Sequence, residues 1–165
     1  MAADRPGEMK VQSSVIIASP PEEVWGILID VESYPELERY VASMHGRIGS
    51  DEQLVVVPRS PGYRSTRYAV NVTVTDFQPC TRMVWEGRRW LGLLRGSRTF
   101  ELTAQTGSES VATELTVTEE YTGLTELLFP EGWRAELMTG LDELTAGVKR
   151  RIVAGKRQSL RAAIQ

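Results

Sequence analysis

The sequence predicts an α+β chain in which a curved antiparallel sheet of about seven strands wraps around a long C-terminal helix, with two short helices after the first strand. Three observations predict it. Apolar residues alternate with polar ones at period two through most of residues 41–121, as in strands with one buried face. Leu137, Leu141, Leu144, Val148 and Ile152 recur at steps of four, three, four and four, a single stripe on a long amphipathic helix. Between the first strand and the rest, proline-marked segments carry helical spacing. A one-sided sheet needs a cover over its apolar face, and the C-terminal segment supplies it.

Residues 1–8 read as a flexible leader. In Met9–Ala18, Val11, Ser13, Val15 and Ile17 alternate with Gln12, Ser14, Ile16 and Ala18. Ser19-Pro20-Pro21-Glu22 reads as a capping box, with Ser19 as N-cap, Pro20 at the first helical position and Glu22 reaching back. Val24, Trp25, Leu28 and Ile29 give that helix its buried stripe, and it is expected to end near Asp30. A second helical turn is expected around Tyr34-Pro35-Glu36-Leu37. Strands follow over Val41–Ile48 and Leu54–Val57, turned by Gly49 to Glu52, and Pro58–Ser65 reads as an exposed loop. Tyr68–Phe77 places Tyr68, Val70, Val72 and Val74 on one face and Asn71, Thr73 and Thr75 on the other. Pro79-Cys80 turns the chain into Met83–Arg89. Leu91–Leu94 joins it to Arg98–Ala104, and Gly107-Ser108 forms the tip before Val111–Tyr121. Lys149, Arg150, Arg151, Lys156 and Arg157 crowd the last turns of the final helix, where cations complement its dipole. With no repeat or linker, residues 9–158 read as one domain and 159–165 as a tail.

A chain of 165 residues, 41% hydrophobic and 25% charged, is long enough to bury one core. A net charge of −3 without any dominant basic run argues against a nucleic-acid partner. Met1–Met9 lacks the apolar run of a signal peptide, and nowhere do 18 uninterrupted apolar residues suggest a transmembrane segment. Cys80 is the single cysteine, so no internal disulfide forms, and a cytoplasmic location is expected. His45 is the single histidine and reads as a rim or solvent-exposed side chain without a Ser/Asp partner. Neither a metal cluster nor a phosphate-binding loop is present: Gly155-Lys156 lacks the required glycine spacing. No metal, no cofactor and no catalytic residue is therefore assigned.

The words Val15 to Trp25, Asp30 to Leu37, Val74 to Pro79, Met83 to Gly87 and Phe100 to Thr103, followed by the closing helix, occur in an order that resembles the START-like superfamily. This group is also called SRPBCC or polyketide cyclase/dehydrase-like, and the resemblance spans roughly residues 10–155. It implies a helix-grip fold with a cavity between the sheet and the last helix. Its members bind sterols, lipids, hormones, polyketides or aromatic compounds, and a minority are enzymes; fold alone does not choose among these.

Within that frame, period two assigns the cavity wall. If Phe100 and Leu102 face inward, so does Arg98; Leu115 and Val117 carry Glu119 and Tyr121 inward, and Met83 and Trp85 carry Arg89. With the tip at Gly107-Ser108, Glu119 lies opposite about Gly96, which in turn neighbours Arg89. Arg89, Arg98 and Glu119 are thus expected to meet at one end of the pocket, because buried charges must be paired. Tyr68, Trp85, Phe100 and Leu141 complete the expected ligand-binding set as an apolar wall.

Three functions compete. The first is binding or transport of a small hydrophobic molecule (lipid, polyketide or aromatic). The second is a polyketide aromatase/cyclase working by acid/base chemistry. Against it, Thr75-Asp76-Phe77 stands where the compared enzymes carry Ser-x-Arg, although Tyr34, Tyr68, Arg89 and Glu119 offer other acid/base groups. The third is a protein-interaction module of the quinone-binding or ribosome-associated branch. It is suggested by Asp30 to Pro35 and by an apolar 124–133 loop that would serve as a lid or meet a protein partner.

Overall fold

In the computed structural model, residues 7–59, 69–106, 111–125 and 132–164 are described. Strand β1 (Glu8–Ile17) leads into helix α1 (Pro21–Leu28), a 3-10 turn (Val31–Ser33) and the short helix α2 (Tyr34–Leu37). Six strands follow: β2 (Val41–Gly46), β3 (Gln53–Pro58), β4 (Val70–Gln78), β5 (Arg82–Arg89), β6 (Leu94–Thr106) and β7 (Val111–Gly123). Helix α3 (Trp133–Ala163) closes the chain. It runs past residue 158, where the sequence reading ended the domain. The sheet has the order β1-β7-β6-β5-β4-β3-β2 with every pair antiparallel. It curls around α3 as a helix-grip fold.

Helix α1 starts one residue later than the capping-box reading placed it. Pro20 is the N-cap, in extended conformation (φ −67°, ψ 156°), and Pro21 opens the helix. The cause is steric: a residue preceding proline is pushed out of helical geometry. Ser19 therefore lies one step before the cap, and its hydroxyl bonds Glu23 rather than Glu22.

The core lies where α1, α2 and the first half of α3 meet the sheet. Ile17, Leu28, Met83, Phe100, Leu115 and Leu144 are all buried to within 1% of full enclosure. Each such side chain contributes about 1.5–3 kcal/mol relative to exposure. A bulge in β4 between Val74 and Asp76 lets Val74 and Phe77, an odd number of residues apart, both pack on this core. Phe77 thereby reaches Trp25, with ring centroids 5.5 Å apart. Helix α3 is tied to β1 by Ser13, which donates to Asp142 at 2.6 Å and shares a 3.1 Å hydrogen bond with Thr145. It also lies very close to α2. A Cβ on Gly147 would come within 2.9 Å of the Leu37 carbonyl oxygen, so this helix position has no room for a side chain.

No helix among the described residues is long and apolar enough to cross a membrane. Most of the Pro58–Ser65 loop and of the 124–133 loop lies outside the described residues; Trp133 is the first residue of α3 rather than part of a loop.

Candidate functional site

Packing changes along the sheet on either side of Trp85. On one side its ring meets Phe100 and Tyr34, at centroid distances of 4.8 and 5.3 Å, and the interior is solid. On the other side the next inward positions of β5 and β6 are Gly87 and Gly96, directly opposite each other. Both glycines line a hollow of about 210 Å³ between the sheet and the start of α3, with the Val72 side chain packed against the Gly87 position. Val56, Val70, Val72 and Leu94 form much of its wall from the sheet, Met44 adds from β2, and Trp133, Leu137 and Gly140 contribute from α3. The Tyr121 ring lies over Gly96, so close that a Cβ there would sit 2.9 Å from it.

One charged cluster faces this space. Arg98 on β6 is held by carboxylates on two sides, with only 16% of its side chain exposed. Its Nη1 and Nη2 donate to the two oxygens of Glu38 at 2.6 and 3.0 Å. Its Nε donates to Glu119 Oε1 at 2.7 Å, and Nη2 lies 2.6 Å from the same oxygen. Burial works against the charge on Arg98, but Glu119 and Glu38 outweigh it and hold the guanidinium protonated well above its ordinary range. Glu38 follows α2 directly, so the pair ties the helical segment to the sheet. Behind Trp85 the Tyr34 phenol donates to the Leu28 carbonyl at 2.7 Å. Burial, tempered by Arg98 and reinforced by Glu38 and Asp30, pushes that phenol far above the usual tyrosine range.

Among the residues singled out from the sequence, Trp85, Arg98, Glu119 and Tyr121 line the hollow. Phe100 and Leu141 do not: both are wholly enclosed in the solid core. Phe100 pairs with Met83 and Val117 deeper along the sheet and is screened by Trp85. Leu141 is one helical position past Gly140, which turns it from the hollow toward the core. Tyr68 lies outside the described residues, as does the side chain of Arg89. Arg89 itself stands opposite Leu94, not Gly96.

Glu119 likewise stands opposite Arg98 rather than Gly96. The hairpin strands pair up to Thr106 and Val111, so four residues separate them instead of a two-residue tip. A slip of two residues changes the partner but preserves the face, which is why the inward assignment survives. Glu38 was missed. It has no place in either periodicity, and only the approach of α2 to β6 brings it to Arg98.

His45 is exposed and lies 3.2 Å from the Ser43 hydroxyl, outside the hollow. Among the described residues no group of three or more His, Cys, Asp or Glu side chains is placed to hold a metal.

Residues 8–149 match the family described as polyketide cyclase/dehydrase and lipid transport. No curated protein matches the chain. Many solved structures share the fold. The Thermus thermophilus protein TTHA0849 is 18% identical at a TM-score of 0.66, over 89% of this chain and 99% of that one. A START superfamily protein from Mycobacterium smegmatis is 15% identical at 0.67, over 88% and 97%. The Helicobacter pylori protein jhp0584 is 14% identical at 0.69, over 92% and 96%. Identities this low carry the fold alone.

Proposed function

Because the chain belongs to the polyketide cyclase/dehydrase and lipid transport family, we propose that it binds a small hydrophobic molecule in the hollow beside Trp85. The observation that carries this reading is the hollow itself, about 210 Å³ with a largely apolar wall. A dry apolar cavity of about 150 Å³ already admits benzene. The larger space here suits a guest of two fused or linked rings, or a short stretch of acyl chain. Binding or carriage is favoured over cyclase chemistry because the two buried carboxylates that line the hollow, Glu38 and Glu119, are both engaged by Arg98, and the third, Glu136, is exposed.

Fluorescence titration with prodan, an uncharged naphthalene reporter that brightens in apolar surroundings, tests the reading. The wild-type protein takes up the reporter. Gly96→Val, which puts branched carbon where Tyr121 and the guest meet, weakens uptake by about tenfold or more. Absence of uptake by the wild type, together with no apolar molecule retained in native mass spectra of freshly purified protein, overturns it.

A further inference from the structure

A guanidinium presents two edges that can grip a carboxylate with paired hydrogen bonds, its Nη1/Nη2 end and its Nε/Nη2 side. On Arg98 both are taken, the end by Glu38 and the side by Glu119. The cation that the sequence placed in the pocket therefore has no bidentate edge left for a guest. We propose that the polar end of the hollow selects an uncharged guest bearing a hydroxyl donor, a phenol or an apolar alcohol, and turns away carboxylates. The proposal deepens, and rests on, the reading of the hollow as a ligand site.

Each oxygen of Glu38 accepts one N–H from Arg98 at 2.6 or 3.0 Å and keeps lone-pair capacity for a second donor. Glu38 lines the hollow, so a guest hydroxyl has an acceptor to meet there. A guest carboxylate meets like charge instead. To reach Arg98 it must displace Glu38 or Glu119, stranding a buried carboxylate without its partner. Arg59, the other cation among the described lining residues, is exposed, and water screens what it offers.

Naphthol and naphthoate share one ring system and differ in this feature, being neutral and anionic at neutral pH. Displacement of prodan from the wild-type protein is expected at a naphthol concentration about tenfold or more below that needed for naphthoate. Glu38→Gln and Glu119→Gln each loosen one edge of Arg98 and are expected to shift this ratio about tenfold toward naphthoate. Equal displacement by the two compounds, or stronger displacement by naphthoate, overturns the selectivity while leaving the ligand site standing. So does an unchanged ratio in either variant with a native circular dichroism spectrum. If neither variant folds, the wild-type ratio decides alone. A reporter that never enters the wild type, with no apolar molecule retained in native mass spectra of the purified protein, removes the site and the selectivity together.

Discussion

On the outer face of the sheet Arg82 sits between Asp76 and Glu101, 3.0 and 2.7 Å away, with 40% of its side chain exposed. On the inner face Arg98 sits between Glu38 and Glu119 at 2.6 Å each, with 16% exposed. The chemical grouping is the same and the surroundings are not. Water solvates every member of the outer group whether or not it is paired, so pairing adds little. The inner group has been taken out of water and depends on its partners for what solvent no longer supplies. The outer triplet decorates the sheet; the inner one ties the end of α2 to β6.

The largest expected effect separates the two directly. Arg98→Met strands two buried carboxylates near each other and is expected to cost about 3–5 kcal/mol in urea unfolding. A loss below about 1 kcal/mol would make the inner triplet no different from the outer one.

Alkaline titration sharpens the inner side further. In the unfolded chain the Tyr34 phenol ionises near its ordinary value of 10.0, while in the folded chain burial keeps it protonated far beyond that. The folded state then binds more protons, so stability is full below that value and falls as pH rises above it. The slope reaches about 1.4 kcal/mol per pH unit. Urea midpoints measured across this range should fall less steeply for Tyr34→Phe than for the wild type; parallel slopes would place the phenol in contact with water.

Arg82→Met is expected to change unfolding free energy by no more than about 1 kcal/mol. The smallest expected effect is that of salt. Near about 1 M salt, where charges are screened over roughly 3 Å, the difference between wild type and Arg82→Met should shrink by a few tenths of a kcal/mol. The difference between wild type and Arg98→Met should hold. Equal salt sensitivity would show that ions reach the inner triplet.

Much of this organisation was legible in the chain. The alternation through Leu115, Val117 and Glu119 put the right side chains on the inner face even though the hairpin partner of Glu119 was misplaced by two residues. The Leu137–Ile152 stripe marked the covering helix, whose Leu141, Leu144, Val148 and Ile152 are buried. Less of the site was legible. Phe100 and Leu141 share the inward pattern with Arg98 and the helix stripe, yet they belong to the solid core, because period two or 3.6 reports a face and not a depth along it. Glu38 gave no signal at all, standing alone after a four-residue helix.

By itself the sequence determined the order of elements and the face on which each side chain lies, because both follow from spacing between neighbours on one segment. Only the tertiary structure decided that Glu38, Arg98 and Glu119 meet and that a hollow opens beside Trp85. The first depends on three segments distant along the chain arriving at one point. The second depends on how side chains from several strands and from α3 close round one space, and spacing along a single segment does not report what lies across it.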